Sequence, residues 1–312
     1  MTVQEIPRID ARALAERRGD ARAGELAKVR TAAVEVGFMT VTGTALDAAD
    51  VARVLDVYRR FFAQPVAAKR PYDMSATGSN RGWGASGAEQ VASGANPDYK
   101  EVFDAGPELP DGDPLSGMTY YAPNRWPDTP PEFRDTVVGY YERACAVALS
   151  LLSAVAESIG EAADHFDGQF DRPMALLRGN YYPTRPTGAG ERDFGIAPHT
   201  DYGCLTLLAT DGSPGLEVAT RGGGWTPVSA PPGTFAVNFG EMIEHWTGGR
   251  VVATPHRVVG GTHERLSVPL FFNPRHDVDV APPGSAEPLL AGEHLARRYD
   301  ETYVHRQRAT AR

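Results

Sequence analysis

Three side chains in the sequence have the types and spacing of a mononuclear metal site. His199 and Asp201 are two residues apart, and in an extended segment residues with that spacing point to the same side. His256 begins a separate apolar run, so a distant strand can supply a third ligand. Two imidazoles and one carboxylate on one side of an ion suit iron(II), with the opposite side open for other ligands.

A second pair of residues suits the recognition of a carboxylate. Arg265 and Ser267 are also two apart, so on a strand they face the same side. A guanidinium group binds a carboxylate through two parallel hydrogen bonds, and a nearby hydroxyl adds a third. An isolated pair of either kind is common by chance, so the surrounding sequence decides its meaning.

That surrounding sequence resembles the isopenicillin N synthase-like branch of the 2-oxoglutarate/iron(II) dioxygenases from residue 180 to residue 274. The order and spacing of several phrases agree over roughly a hundred residues, far beyond a single motif. The amino-terminal half is similar through shorter phrases, RGW and DYKEVF. The matching phrases of the carboxyl-terminal part are NYYP, HTDYGCLTLL, DGSPGLEV, GWTPV, PGTFAVNFGE, WTGG, PHRV and RLS.

The resemblance implies iron bound by His199, Asp201 and His256, with 2-oxoglutarate and O2 as co-substrates. Arg265 and Ser267 would hold the far carboxylate of 2-oxoglutarate, and two residues of the NYYP phrase would also contact it, namely Asn180 and Tyr182. The implied reaction hydroxylates, desaturates or cyclises a small metabolite of secondary metabolism. Oxidative decarboxylation of 2-oxoglutarate to succinate and CO2 accompanies it.

The resemblance also implies which side chains line the substrate pocket. They come from the strand of the NYYP phrase, the strand after Arg265 and an amino-terminal loop: Arg178, Phe271, Asn273, Arg81, Trp83, Tyr99 and Phe103. Arg178 holds an anionic substrate or lies exposed at a strand end. Lys100 and Glu101 form a solvated ion pair on the simplest interpretation.

Two alternatives stay open at this point. An oxidase like isopenicillin N synthase keeps the Arg-x-Ser pair but uses it on the carboxylate of its own substrate, without 2-oxoglutarate. A catalytically silent homologue would keep the fold and only bind a ligand. The NYYP phrase favours a 2-oxoglutarate user, and the presence of all five polar residues favours an active enzyme.

The elements that must position these residues indicate an α+β fold with a double-stranded β-helix, or jelly-roll, core. Residues 1–172 are predicted to form a helical region with a loop facing the substrate, including helices over 22–36 and 131–159 and a strand over 38–41. Short β runs separated by Gly and Pro turns follow over 173–288, typical of an antiparallel sandwich or barrel. A carboxyl-terminal helix over 289–312, with Tyr299 and Tyr303, covers the sheet or acts as a lid. All three segments are expected to form one structural unit.

Composition supports a small-molecule enzyme. The 312 residues include 40 acidic and 31 basic ones, a net charge of −9, and the basic residues are scattered, so no nucleic-acid partner is indicated. The start lacks the pattern of a secretory signal and the longest apolar run is too short to span a bilayer. We therefore expect a cytoplasmic protein without a membrane partner. The sequence does not indicate an oligomeric state.

Overall fold

The computed structural model describes residues 5–16, 18–77, 79–89, 96, 98–185, 187–188, 190 and 193–302. None of the described helices is both long enough and apolar enough to cross a membrane. The α-helices are α1 (Ala11–Leu14), α2 (Asp20–Thr31), α3 (Ala48–Phe62), α4 (Val66–Lys69), α5 (Met74–Thr77), α6 (Phe133–Ser158), α7 (Glu241–Trp246) and α8 (Ala291–Thr302).

The strands of the described chain form one large and one small sheet. The strands are β1 (Arg8–Asp10), β2 (Phe38–Thr42), β3 (Gly82–Gly84), β4 (Glu101–Ala105), β5 (Leu176–Tyr182), β6 (Ile196–His199), β7 (Leu205–Thr210), β8 (Leu216–Ala219), β9 (Trp225–Pro227), β10 (Phe235–Phe239), β11 (His256–Val258) and β12 (Arg265–Phe272). The large sheet has the order β1-β2-β10-β7-β12-β5-β4-β3 and the small sheet the order β6-β11-β8-β9.

The two sheets face each other as the layers of a jelly roll. One cavity is lined both by residues of the large sheet, such as Asn180 and Arg265, and by residues of the small sheet, such as Leu216 and His256. Helices α3 and α6 pack on strands β7 and β12 of the large sheet and bury a large aromatic and aliphatic core there. The predicted α+β fold with a jelly-roll core is confirmed.

The amino-terminal part supplies strands to both edges of the large sheet. β2 pairs with β10 and β1 lies parallel to β2, whereas β4 pairs with β5 and β3 pairs with β4. The strand expected over 38–41 is observed as β2, and the region over 1–172 also contributes β1, β3 and β4. A three-residue strand such as β1 carries too little periodicity to be recognised from sequence.

Local signals set the ends of the amino-terminal helices. Asp47 caps α3 through a reciprocal pair of hydrogen bonds with Asp50, which satisfies main-chain donors that the helix itself leaves free. The predicted helix over 22–36 is observed as α2 followed by a π-helical turn, Ala32–Val36. Gly37 ends it with φ of 75°, a left-handed conformation that favours glycine.

Candidate active site

The three predicted metal ligands come together at one end of the small sheet. His199 and His256 are direct cross-strand partners on β6 and β11, and their ring centroids are 4.3 Å apart. Asp201 follows β6, and its Oδ1 lies 3.8 Å from Nε2 of each histidine. One ligand atom from each residue lies within 4.8 Å of the others, so one small ion can contact all three.

Both imidazoles are oriented for metal binding through Nε2. Nδ1 of His199 is 2.8 Å from the carbonyl oxygen of Ala197, and Nδ1 of His256 is 3.4 Å from that of Thr254. Such a contact holds the proton on Nδ1 and leaves the Nε2 lone pair free. Burial and the adjacent His256 lower the pKa of His199 to about 3, so its ring is neutral near pH 7.

The two carboxylate oxygens of Asp201 have different contacts. Oδ2 accepts hydrogen bonds from the hydroxyl of Thr206 and from Nδ2 of Asn238, while Oδ1 faces the two histidines. Burial raises the pKa of this carboxyl, but the neighbouring imidazoles and the two donors outweigh it and hold the pKa below its ordinary value. Asp201 is therefore an ionised ligand with a fixed orientation.

An inner cavity extends from this cluster between the sheets. Its wall contains the four residues expected to bind a dicarboxylate, because β5 and β12 pair in the register Arg265 with Tyr182 and Ser267 with Asn180. Directly opposed residues of paired strands share a face. Arg265 Nη1 donates to Ser267 Oγ over 3.1 Å, and the guanidinium lies 5.0 Å from the Tyr182 ring centroid.

The inner cavity is lined by buried polar groups that a polar ligand would satisfy. Arg265 and Asn180 are nearly fully buried, yet Arg265 Nε and Asn180 Oδ1 have no hydrogen-bond partner in the described structure. Unpaired buried polar groups cost free energy and are rare in native proteins. A dicarboxylate bound at the metal would bring acceptors to Arg265, so the residues present fit such a ligand.

A second, outer cavity also borders His199 and Asp201. Asn180, Ile196, His199, Asp201 and Phe271 border both cavities. Helix α8 closes part of the outer cavity. The remaining wall consists of Glu89, Lys100, Leu176, Arg178, Tyr202, Gly203, Asn273, Leu295 and Tyr299.

Comparison with known families identifies both halves of the chain. Residues 6–129 match the family described as non-haem dioxygenase in morphine synthesis N-terminal. Residues 173–274 match the 2OG-Fe(II) oxygenase superfamily. The 2-oxoglutarate-Fe(II) type oxidoreductase hxnY of Emericella nidulans is 32% identical over an alignment of 268 positions that covers 83% of this chain and 77% of that protein. The chain belongs to the 2-oxoglutarate/Fe(II) oxygenase superfamily.

Further relatives of this oxygenase include solved structures and a bacterial enzyme. A full-length Neurospora crassa protein in complex with alpha-KG and thymine superposes with a TM-score of 0.84 at 25% identity, covering 95% of this chain and 96% of that one. A 2OG-Fe(II) oxygenase family protein from Caulobacter crescentus gives 0.80 at 27% identity, covering 96% and 99%. The validamycin A dioxygenase of Streptomyces hygroscopicus subsp. limoneus is 29% identical, covering 79% and 71%.

Three of the expected substrate residues of the oxygenase border the outer cavity. They are Arg178, Phe271 and Asn273. Arg178 is buried and paired with carboxylates rather than exposed at a strand end. The amide of Asn273 is engaged by main-chain groups, because Oδ1 accepts from Cys204 and Nδ2 donates to Met174.

The other four expected substrate residues line neither the inner nor the outer cavity. Phe103 is fully buried in the core. Its neighbour on β4, Asp104, is the residue that pairs with Arg178 of β5. Because successive side chains of a strand point to opposite faces, Phe103 faces the helices. The other three residues contact different parts of the protein. Trp83 pairs with Phe103 across the strands and donates to Glu101. Arg81 donates to the main-chain oxygens of Asn80 and Tyr120, and Tyr99 lies against Gly260.

Phe103→Ala is expected to lower the free energy of unfolding by about 3–5 kcal/mol, the usual cost of truncating a buried phenylalanine. The ring of Phe103 contacts Phe61, Phe133 and Tyr58 at centroid distances of 4.9, 5.0 and 6.3 Å. Urea unfolding measures the change, with Phe271→Ala as a matched truncation at the cavity wall and a smaller expected loss. Wild-type stability of the Phe103 variant would contradict its place in the core.

The structure adds residues that sequence reasoning missed. Thr206 and Asn238 contact Asp201. Both lie inside phrases that match the family, HTDYGCLTLL and PGTFAVNFGE, and that match was the available signal for their role. Glu89 and Lys100 line the outer cavity. Glu89 lies in a Gly- and Ser-rich stretch without periodicity, and Lys100 lies in the matching phrase DYKEVF, where it was interpreted as a solvated residue. Leu176, Ile196, Leu295 and Tyr299 were also unassigned to a cavity.

Thr206→Val is expected to weaken Fe(II) binding by roughly 10–100-fold, the usual effect of removing a group that orients a metal ligand. The variant removes one donor to Asp201 Oδ2 and leaves the shape nearly unchanged. Thr210→Val is the matched control, since Thr210 is another buried threonine of β7 whose hydroxyl donates to Ala230 instead. Competition with a chelator under nitrogen measures the affinity, and equal affinities of the two variants would refute the orienting role.

Proposed function

We propose that this chain is an Fe(II)- and 2-oxoglutarate-dependent dioxygenase in which His199, Asp201 and His256 bind the iron. Arg265 and Ser267 hold the far carboxylate of 2-oxoglutarate, and Asn180 and Tyr182 shape the same inner cavity. The substrate is a small molecule in the outer cavity. The observation that carries the proposal is the three-ligand cluster together with a buried Arg265 whose Nε has no acceptor among the described residues.

The iron and the two co-substrates together supply the oxidising power to break a C–H bond, with succinate and CO2 as products. The residues of the chain have a different role. His199, Asp201 and His256 occupy one side of the metal position and leave the other side to exogenous ligands. Arg265 fixes the length and direction of the co-substrate, while the two facing sheets exclude bulk water from it.

The outer cavity decides which carbon is presented to the metal position. His199 and Asp201 border it, so a substrate bound there lies next to the iron. Phe271 of β12 and Leu295 of α8 form apolar parts of its wall, which suits a small organic molecule. Secondary metabolism is the setting we infer, supported by relatives named validamycin A dioxygenase and flavonoid 7-O-demethylase 1.

The decisive experiment is a difference absorption spectrum of the iron-loaded protein under nitrogen. Addition of 2-oxoglutarate to the Fe(II) protein should produce a weak visible charge-transfer band. His256→Ala removes a metal ligand and Arg265→Ala removes the carboxylate anchor, so both variants should lose the band. Succinate release under air, measured with a panel of metabolites, then tests turnover.

Each result separates the open alternatives. Iron binding without a band would refute 2-oxoglutarate binding and favour an oxidase like isopenicillin N synthase. A band without succinate formation under any condition, together with binding of a metabolite, would favour the catalytically silent homologue. The names of the relatives and the alpha-KG complexes of the structural neighbours support 2-oxoglutarate use.

A further inference from the structure

Five charged side chains form a buried ion cluster beside the outer cavity: Glu89, Asp98, Lys100, Asp104 and Arg178. Each has less than a tenth of its surface exposed. Glu89, Lys100 and Arg178 border the cavity directly. Charges this deeply buried act through a low dielectric and are screened little by salt, so the cluster strongly influences which molecule the cavity accepts.

Both cations of the cluster are already paired with carboxylates. Arg178 Nε and Nη2 each lie 2.7 Å from an oxygen of Asp104, and Nη1 lies 3.0 Å from Glu89 Oε2. Lys100 Nζ lies 2.7 Å from Asp98 and 2.9 Å from Glu89. Neither cation therefore presents uncompensated positive charge to the cavity.

The charges of the cluster balance once a neighbouring guanidinium is included. The two cations face three carboxylates, and the charge of the neighbouring Arg81 lowers the pKa of Asp104, although burial outweighs it and the pKa of that carboxyl is raised overall. A carboxylate or phosphate brought into the cavity would face the Glu89 charge without a cation of its own. The expectation that Arg178 binds an anionic substrate is therefore not supported by its surroundings.

Glu89 retains the capacity to accept a hydrogen bond. Burial raises the pKa of its carboxyl, but the charges of Arg178 and Lys100 outweigh burial and lower the pKa to about 2, so Glu89 is ionised. Its Oε1 lies 2.8 Å from Arg178 Nη1 but accepts no hydrogen bond in the described part of the chain. A donor from a bound molecule would satisfy this oxygen.

We propose that the outer cavity binds an uncharged small molecule that donates an N–H or O–H hydrogen bond to Glu89, and that it excludes carboxylates and phosphates. The carbon skeleton of that molecule packs on Leu176, Ile196 and Phe271. This substrate class rests on the proposed function, because it concerns the molecule that lies beside the iron.

Three probes of equal ring size test the substrate class by isothermal titration calorimetry. Benzamide is neutral and has an N–H donor, methyl benzoate is neutral without one, and benzoate is an anion. The titrations use enzyme loaded with Fe(II) and saturating 2-oxoglutarate under nitrogen, so that benzoate is kept out of the inner cavity. Benzamide is expected to bind at least about tenfold more tightly than methyl benzoate or benzoate, because hydrogen bonds to a charged acceptor are among the stronger hydrogen bonds.

Two variants of Glu89 distinguish the effect of its charge from the effect of its side-chain length. Glu89→Gln keeps the shape but leaves Lys100 and Arg178 with one carboxylate fewer, so the preference for benzamide over benzoate should fall about tenfold or more. Glu89→Asp keeps the charge but is shorter, so it should still exclude benzoate while binding benzamide less tightly. Glu161→Gln is the control, because Glu161 pairs with Arg250 in a partly exposed ion pair, and it should preserve the wild-type preference.

The visible band of the iron–2-oxoglutarate centre is recorded on every sample and distinguishes the two proposals. If the band forms but benzamide binds undetectably or no better than benzoate or methyl benzoate, the substrate class is wrong while the proposed function stands. Retention of the full preference in Glu89→Gln also overturns the class. If the wild-type protein forms no band, the proposed function fails, and this inference fails with it. Should Glu89→Gln lose the band through misfolding, the Glu89→Asp result decides.

Discussion

The Asp201→Asn variant is expected to bind Fe(II) more than about 100-fold more weakly than the wild-type chain and to form no detectable succinate. Groups that merely orient a ligand contribute roughly 10–100-fold to metal affinity, so the loss of a ligand should exceed that range. Asp201 is the single carboxylate of the cluster. Without its charge, two neutral imidazoles would have to hold a divalent ion by themselves.

The surroundings of Asp201 explain why an amide of the same shape cannot replace it. Oδ2 receives hydrogen bonds from Thr206 and Asn238, and Nδ2 of Asn238 is a donor only. An amide nitrogen placed there would face another donor. The variant would therefore turn its nitrogen toward the metal position, where an amide N–H group is not a ligand.

Chelator competition under nitrogen measures the iron affinity of Asp201→Asn, and a succinate assay under air measures turnover. Asp279→Asn is a suitable control, because the carboxylate of Asp279 accepts main-chain hydrogen bonds from Ala281 and Leu289 outside the site. That variant should bind iron normally. An Asp201→Asn protein with wild-type affinity would exclude Asp201 from the metal site.

Most of the strands that carry the site were predictable because their signals are local, although β6, which carries His199, was not among the predicted β runs. The runs that became β5, β7, β8, β10, β11 and β12 alternate or remain apolar between Gly and Pro turns, and such patterns indicate strands without knowledge of their partners. The pairing of Arg265 with Tyr182 and of Ser267 with Asn180 is a different matter. Register depends on contacts between distant segments, so only the resemblance placed these four residues together.

Lys100 shows where local reasoning failed. Its neighbour Glu101 suggested a solvated ion pair, but Lys100 is only 3% exposed and pairs with Asp98 and Glu89. Glu101 pairs with Lys69 instead. The segment before β4 has no alternation that would show which side chains point inward, and buried charge pairs between distant residues leave no periodic pattern in the sequence.

The role of the carboxyl-terminal helix also depended on tertiary contacts. The sequence predicted a helix but left open whether it covers the sheet or closes a pocket. In the described part, Leu295 and Tyr299 of α8 border the outer cavity, and Arg298 lies 4.4 Å from the ring centroid of Tyr202. The helix is thus a wall of the cavity, while Tyr303 lies outside the described residues.

Arg265→Ala is expected to raise the KM for 2-oxoglutarate by roughly 30-fold to several thousand-fold. Truncating one partner of a buried, hydrogen-bonded charge pair costs about 2–5 kcal/mol, and that cost converts to this range of affinity. Arg265 is 5% exposed, lies 5.0 Å from the ring centroid of Tyr182 and donates a hydrogen bond to Ser267. Water therefore has little room to replace its guanidinium against a carboxylate.

Steady-state succinate formation at varied 2-oxoglutarate concentrations measures this KM, and Arg257→Ala is the matched control. Arg257 is on β11 next to the metal ligand His256, but it stacks on Trp225 at 4.2 Å and pairs with Glu217, so its loss should leave the KM for 2-oxoglutarate nearly unchanged. Arg265→Lys should fall between the wild type and the alanine variant, because an ammonium keeps the charge without the bidentate geometry. If Arg265→Ala instead left the KM for 2-oxoglutarate intact and weakened binding of the organic substrate, the pair Arg265 and Ser267 would serve that substrate, as in isopenicillin N synthase-type oxidases.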